Sequence, residues 1–499
     1  RAHPLQDPAL QGRVGPGDDH RHSGLGGPGG EQHAHLEVLA HADHEEIDAL
    51  HLELAQDALL GSRRAGGEGD LILDLFHQLH VAVDGQDIDA QLAEGHGHRA
   101  AETAEADDGC ALDHIIGTMG FRIIQLLPIH PVPTTYARMG RFGSPFASID
   151  FFDVDPALAE FDRKTTPLDQ FGEFVDAVHA RDARVFLDLP INHTGWASHL
   201  QIHHPDWFAR NHDASFMSPG AWGVTWEDLS ELNYDHRELW QYMADVFLFW
   251  CRRGVDGFRC DAGYMVPLPV WEYIVAKVRE EYPETLFLLE GLGGKISVTE
   301  SLLDRANLNW AYSEIFQVYD RRQMEHYLPQ CQGITRTHGP LIHFAETHDN
   351  SRLAAESQPY AQMRCALAAL FSEAGAFGIT NGVEWFSTAK VDVHGAPPMN
   401  WGNPENQVSW LAQINTILEQ HAAFRNGVPQ RLVHQDGSNA IALLRSPDNG
   451  DTVVVAVNLD CKSEGAVSWA RSEFYLPDGR CHDLLAKRER ALTPNAENW

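Results

Sequence analysis

From residue 120 onward, apolar runs of strand length alternate with amphipathic stretches of helix length, and this alternation is the strongest constraint on the fold. RIIQLLPI (122–129) reads as a buried strand. LDQFGEFVDAVHARD (168–182) reads as a helix, because Phe171, Phe174, Val175 and Val178 fall at i, i+3, i+4 and i+7. RVFLDLPI (184–191) is the next strand, and 238–252 the next long helix. GFRCDA (257–262), LFLLEG (286–291), WAYSEIF (310–316), LIHFAETHD (341–349) and AFGITNGVEWF (376–386) continue the strands, with helices between them and one more helix at 408–421. A doubly wound open sheet usually carries a Gly-rich phosphate loop after its first strand, and none is visible. The expected fold class is therefore α/β, a (β/α)8 barrel over residues 112–427 that shows seven of its eight strands. The first strand is lost upstream.

Two departures from the alternation mark further units. Residues 194–232 are too long and too rich in Trp for a simple connection, which suggests a short inserted subdomain after the third strand, the one at 184–191. From about Gly427 the pattern turns to short alternating strands, among them 440–444 and 452–459, and residues 428–499 are expected to form a C-terminal β-sandwich, with its end unfinished. Residues 1–111 differ in kind. The first 120 residues contain no Trp or Tyr and one Phe, Phe76, yet hold 13 of the 29 His, with Gly-rich runs such as HSGLGGPGG. So few aromatic groups leave little from which to build a core. Three readings stand for this segment: a disordered leader, a small helical domain, or sequence that is not genuine coding sequence. Within it, 71–83 is the one stretch with strand or helix character.

The formal charge of -34 repels phosphate backbones and argues against nucleic acid as a partner, while neutral substrates meet no such penalty. No apolar stretch approaches the roughly 20 residues of a membrane helix. Seven scattered Cys, an odd number without a CxxC pair, suit a reducing compartment, and RAHPLQDPAL lacks the apolar core of a secretory signal. A cytoplasmic location is expected on those grounds. The sequence does not specify an oligomeric state.

Acids fall where strands end. Asp261 closes FRCD, Glu290 closes LFLLE, Asp349 closes HFAETHD, and Asp188 lies within VFLDLPI. A carboxylate at the end of a buried strand is costly to desolvate. In a barrel the C-terminal strand ends converge on one mouth, so four acids on four strands meet around one pocket. Arg259 lies two residues before Asp261 and on the same strand face. A guanidinium beside that carboxylate favours the anion a nucleophile needs. Asn192, His193 and His348 stand at the same mouth, where histidines can donate to sugar hydroxyls. These positions do not specify a transition-metal site, and no cofactor is expected.

DLPINH (188–193), GFRCDA, LLEG (288–291) and ETHDN (346–350) resemble, in order and spacing, the α-amylase family of retaining glycoside hydrolases and transglycosylases, over roughly residues 112–460. The resemblance implies Asp261 as nucleophile, Glu290 as acid/base and Asp349 as the residue that holds sugar hydroxyls in a distorted transition state. Arg259, His193 and His348 would support them, and Asp188 and Asn192 would line the pocket. A retaining mechanism needs its two carboxylates about 5–5.5 Å apart, which Asp261 and Glu290 on adjacent strands can supply. Phe146, in SPFASIDFFDVDP (144–156), stands where the family usually stacks a Tyr on the sugar. The family often binds calcium near the Asn192 position. After Asp261 comes AGYM, where typical α-amylases carry a Lys-His pair that contacts the acceptor-side sugar. PIHP (128–131), HPDWF (204–208) and the GSP starting at Gly143 resemble the maltosyl-phosphate-using transferases of the same family, although those usually lack the Asn-His seen at 192–193. Trp196, Trp207, Trp222 and Trp226 are either sugar platforms or packing of the insert. The implied function is retaining hydrolysis of α-glucosidic linkages in α-glucans or maltooligosaccharides. The alternatives are an α-glucan transglycosylase, maltosyltransferase-like activity included, a non-catalytic carbohydrate-binding barrel, or a chain left inert by its lost first strand.

Overall fold

A computed structural model describes residues 36–40 and 111–493, apart from 222, 374, 375, 396, 398, 435–437, 449, 475, 477 and 478. The segment 71–83 lies outside the described residues. Seven parallel strands form one sheet: β1 (Ile123–Leu126), β2 (Arg184–Leu189), β3 (Gly257–Cys260), β4 (Leu286–Leu289), β5 (Trp310–Tyr312), β6 (Leu341–Phe344) and β7 (Phe377–Gly378). Their order in the sheet is their order in the chain. Six helices stand between successive strands or follow them: α1 (Pro167–His179), α2 (Arg237–Cys251), α3 (Leu268–Glu281), α4 (Ile296–Asp304), α5 (Arg321–Thr337) and α6 (Gln358–Leu370), with α7 (Val408–Gln420) after β7. Helix α1 begins at a reciprocal cap, Thr166 with Asp169, and α5 at another, Asp320 with Gln323, each satisfying two of the free N–H groups of a first turn.

The sheet curls on itself. Tyr312 of β5 reaches Gln125 of β1 at 3.4 Å, and Ile123, Phe186, Leu288, Ile342 and Phe344 share one interior cluster with it. Gly257 is required by this packing, since a β-carbon there would lie 2.4 Å from the Phe186 ring. No ladder joins β7 to β1 among the described residues. The two edges are instead stapled by side chains. Phe121, just ahead of β1, meets Phe377 of β7 at 5.6 Å between ring centroids, and the Asn415 amide of α7 donates to the Met119 carbonyl at 2.8 Å. The result is a curled parallel sheet with a seam, carrying seven of the strands of a (β/α)8 barrel.

Every strand ends earlier than its apolar run predicts. The run 257–262 is extended only to Cys260, and 341–349 only to Phe344. The residues beyond turn outward at the mouth, where pairing stops and polar side chains take over. The predicted insert folds as two small antiparallel ladders, His193–Gly195 with Leu229–Glu231 and Gly220–Ala221 with Val224–Thr225. It sits hard against the loop after β1, for a β-carbon on Gly195 would lie 2.2 Å from the Ala147 carbonyl oxygen.

The C-terminal unit differs from the expected sandwich. Among the described residues it is one six-stranded antiparallel sheet, made of Gln430–Leu432, Ala440–Arg445, Val453–Asn458, Arg480–Asp483 and Arg488–Ala491, with Leu36–Ala40 between the third and fourth of these. Its alternation has another cause than a second sheet. Ile441, Leu443, Val453, Val455 and Val457 join the main core, while Ala442, Leu444 and Val454 are covered by Trp469 and Leu476. Arg445 ties this sheet to the barrel by donating to the Leu370 and Ser372 carbonyls at 3.2 and 2.8 Å. Among the described residues no helix is long and apolar enough to cross a membrane.

Candidate active site

The C-terminal ends of β2, β3 and β4 deliver the central group. Asp188 and Arg259 are direct register partners across β2 and β3. The Nη1 of Arg259 lies 2.6 Å from Asp188 Oδ2 and 2.8 Å from Asp261 Oδ1, and its Nε donates to the Tyr312 hydroxyl at 3.2 Å. Asp188 is fully buried and its other oxygen has no partner, so the pair is held in a place of low dielectric. Burial pushes the Asp188 carboxyl well up against the pull of Arg259, and Asp261 and Glu290 push the same way. Burial disfavours the Arg259 charge, but Asp188, Tyr312, Asp261 and Glu290 around it more than offset that and keep it protonated.

After Asp261 the backbone turns through a left-handed Ala262, φ +43°, an uncommon conformation for a residue with a β-carbon. The turn aims the Ala262 N–H at Glu290 Oε2, 2.7 Å away, and so ties the two acids to one another through the main chain. Burial is the main force on Glu290, with Asp261 and Asp349 adding to it and Arg259 and the Ala262 N–H opposing. Together they raise its carboxyl to about 7. One acid thus stands in an ion pair while its neighbour holds a proton near neutrality, the division of labour that acid/base chemistry on two carboxyls requires.

The loop after β6 supplies the far wall. The His348 ring stacks on Phe146 at 5.7 Å and 18°, and its Nε2 lies 3.5 Å from Asp349. Burial pushes the His348 pKa down. Asp349 itself is exposed, with its side chain 61% accessible. His193 is buried beside the edge of Trp226, 6.0 Å away, and burial lowers its pKa as well, against Asp261 and Asp228. The Asn192 amide faces the Met265 thioether at 3.8 Å, in the turn that follows Asp261. A soft sulfur and one amide do not fit a calcium ion, which needs six to eight oxygens, and no group of three His, Cys, Asp or Glu is placed for a metal among the described residues. Of the insert tryptophans, Trp207 is buried and stacked on His204, whereas Trp196 is half-buried with its N–H on the Glu227 carbonyl. Trp222 lies outside the described residues.

Two groups escape a reading of the sequence, Tyr312 and Arg352. Tyr312 is one aromatic of a strand until Arg259 is seen on it. Arg352 closes the loop that carries His348 and Asp349, through Glu346 at 2.9 Å and the Asn381 carbonyl at 2.6 Å. Glu384 is fully buried and raised by burial to about 8. Glu346 and Glu384 are visible as acids near strand ends, but nothing in the sequence pairs Glu346 with a residue six positions on.

A family model described as the α-amylase catalytic domain matches residues 116–291. The α-1,4-glucan:maltose-1-phosphate maltosyltransferase of Burkholderia pseudomallei (strain K96243) is 27% identical over 379 residues, 69% of this chain and 32% of that protein. The enzyme of the same description from Rhodospirillum rubrum is 26% identical over 396 residues, 73% of this chain and 56% of that one. The chain thus spans between about a third and three fifths of the curated relatives it matches first. An α-amylase from Lactobacillus plantarum shares the fold, with a TM-score of 0.66 at 24% identity over 80% of this chain and 92% of that one.

Proposed function

The chain belongs to the α-amylase family of glycoside hydrolases and transglycosylases, and from that premise we propose that it cleaves α-glucosidic linkages of α-glucans or maltooligosaccharides with retention, passing the glycosyl group to a sugar acceptor in competition with water. The observation that carries this reading is the unequal pair of acids, Asp261 ion-paired to Arg259 and Glu290 protonated up to about pH 7. Asp261 attacks the anomeric carbon while Glu290 gives its proton to the departing glycosidic oxygen, leaving a glycosyl ester on Asp261. Glu290, now a carboxylate, takes the proton of the acceptor hydroxyl as its oxygen attacks the same carbon and releases Asp261. Asp349, His348 and His193 hold the sugar hydroxyls as charge builds at the ring oxygen, and Phe146 offers an apolar face. Asp188 acts through Arg259 rather than on substrate. The maltosyltransferase names of the relatives favour transfer over plain hydrolysis.

Product analysis after incubation with maltooligosaccharides, alone and with phosphate or an acceptor sugar, tests the reading. Longer chains or new acceptor glycosides from the wild type and none from Asp261→Asn are the expected result. Glucose and short chains alone would return the enzyme to hydrolysis. A folded protein that binds these sugars without turnover would overturn the proposal in favour of a binding barrel.

A further inference from the structure

Arg259 holds two carboxylates through one nitrogen, and that arrangement has a rival. Asp188 is fully buried, and its Oδ1 has no hydrogen-bond partner among the described residues. An arginine facing a carboxylate with a free oxygen gains most by closing on it with two parallel N–H···O bonds. Closure on Asp188 would swing Nη1 away from Asp261, since bonds at a single nitrogen leave the guanidinium free to pivot about it. A second point has to hold the group. That point is Nε, which donates to the Tyr312 hydroxyl at 3.2 Å. Three strands fix the hydroxyl: β5 carries it, Phe344 of β6 backs its ring at 4.5 Å between centroids, and Gln125 Oε1 of β1 accepts its proton at 3.4 Å. Arg259, Tyr312, Phe344 and Gln125 are all buried, so water is a poor substitute for the hydroxyl.

We propose that Tyr312 is a positioning residue, whose hydroxyl keeps the Arg259 guanidinium shared between Asp188 and Asp261 instead of closed on Asp188 alone. The inference rests on the double-displacement reading above, in which Asp261 attacks as the anion. The hydroxyl is engaged with Gln125 and Arg259, and it acts on Asp261 only through the guanidinium. Without it the buried Nε–H lacks an acceptor, while Asp188 Oδ1 stands unsatisfied in the same group. The guanidinium then turns to Asp188, and Asp261 loses its 2.8 Å bond. With that bond go both the charge that favours the anion and the aim of the attacking oxygen. Gln125 stands one step further back, taking the Tyr312 proton and so leaving a lone pair for Arg259.

The test uses the whole chain and α-maltosyl fluoride, whose departure needs no proton, so that kcat/KM reports attack by Asp261 apart from the acid. Fluoride release gives kcat and KM for wild type, Tyr312→Phe, Arg259→Lys and the double variant. Tyr312→Phe should lower kcat/KM about tenfold, the scale of a hydrogen bond to a charged group, and through kcat rather than KM. In the Arg259→Lys background, where no Nε remains to be held, the same change should cost less than about twofold. Equal losses in the two backgrounds, or no loss with Arg259 present, would reduce Tyr312 to core packing and overturn the inference alone. If Tyr312→Phe does not fold, Gln125→Met repeats the comparison with the Tyr312 ring in place. A loss confined to the Arg259 background then supports the inference, and an equal loss in both, or none, overturns it. A wild type that consumes no donor would overturn the double-displacement reading and this inference together.

Discussion

Arg259 meets Asp261 at 2.8 Å with the same nitrogen that meets Asp188 at 2.6 Å. One guanidinium thus answers for two carboxylates, one of them fully buried. Arg259→Met should strand Asp188 and lower stability by about 3–5 kcal/mol, the cost of an unpaired buried charge. Arg259→Lys keeps a cation but cannot also reach Tyr312, so it should fold and still lose about a hundredfold in kcat/KM. Urea midpoints and initial rates on the same samples separate the two effects. A fully active lysine variant would show that charge alone suffices.

Glu290 titrating at about 7 gives the pH profile its alkaline limb. The first step needs its protonated form, so kcat/KM on maltooligosaccharides should fall as pH rises through about 7. Glu290→Gln should lose that limb together with most activity, yet still consume α-maltosyl fluoride, whose leaving group needs no proton. A profile flat from pH 6 to 9 in the wild type would remove Glu290 as the acid.

Glu384 offers a separate test on stability. Its folded pKa of about 8 lies above the ordinary 4.5, so the folded state holds the proton more tightly than the unfolded chain. Stability is therefore undiminished below pH 4.5, falls between 4.5 and 8, and stays reduced above. Glu384→Gln, which cannot ionise, should match the wild type near pH 4.5 and exceed it at pH 9 by up to about 4 kcal/mol. Chemical denaturation at the two pH values measures the gap, and equal differences at both would refute the shift.

The loop that carries Asp349 is closed by Glu346 and Arg352, whose ion pair is buried at both ends, and by the Leu353 N–H on the second oxygen of Glu346. Arg352→Met and Glu346→Gln should each cost more than their joint variant implies, with a coupling of about 1–3 kcal/mol in a double-mutant cycle. Activity should drop through kcat, because Asp349 acts on the transition state. Additive effects would mean that the two side chains act independently.

What the sequence discloses and what it withholds divide along physical lines. Periodicity is local, so the parallel strands and their chain order were legible from runs such as VFLDL and LFLL. Acids at strand ends were legible for the same reason, since a carboxylate interrupts an apolar run. Contacts between distant residues leave no such mark. Tyr312 on Arg259, Arg352 on Glu346 and Phe121 on Phe377 exist only once the sheet has curled. The tryptophans of the insert looked alike and took different places, Trp207 in the core and Trp226 at the edge of His193. The short alternating strands at 440–444 and 452–459 pointed to a sandwich, whereas among the described residues a single sheet lies between the barrel on one side and Trp469 with Leu476 on the other.

The seam between β7 and β1 falls on the arc of the sheet that carries none of the four acids. Asp188 lies within β2 near its end, Asp261 and Glu290 directly follow β3 and β4, and Asp349 lies in the loop after β6. The ladder bonds that fix their spacing run unbroken from β1 to β7. Among the described residues the Phe121–Phe377 contact bridges the two edges of the sheet away from β2 to β4, much as the gap of a split ring lies apart from the stone set opposite.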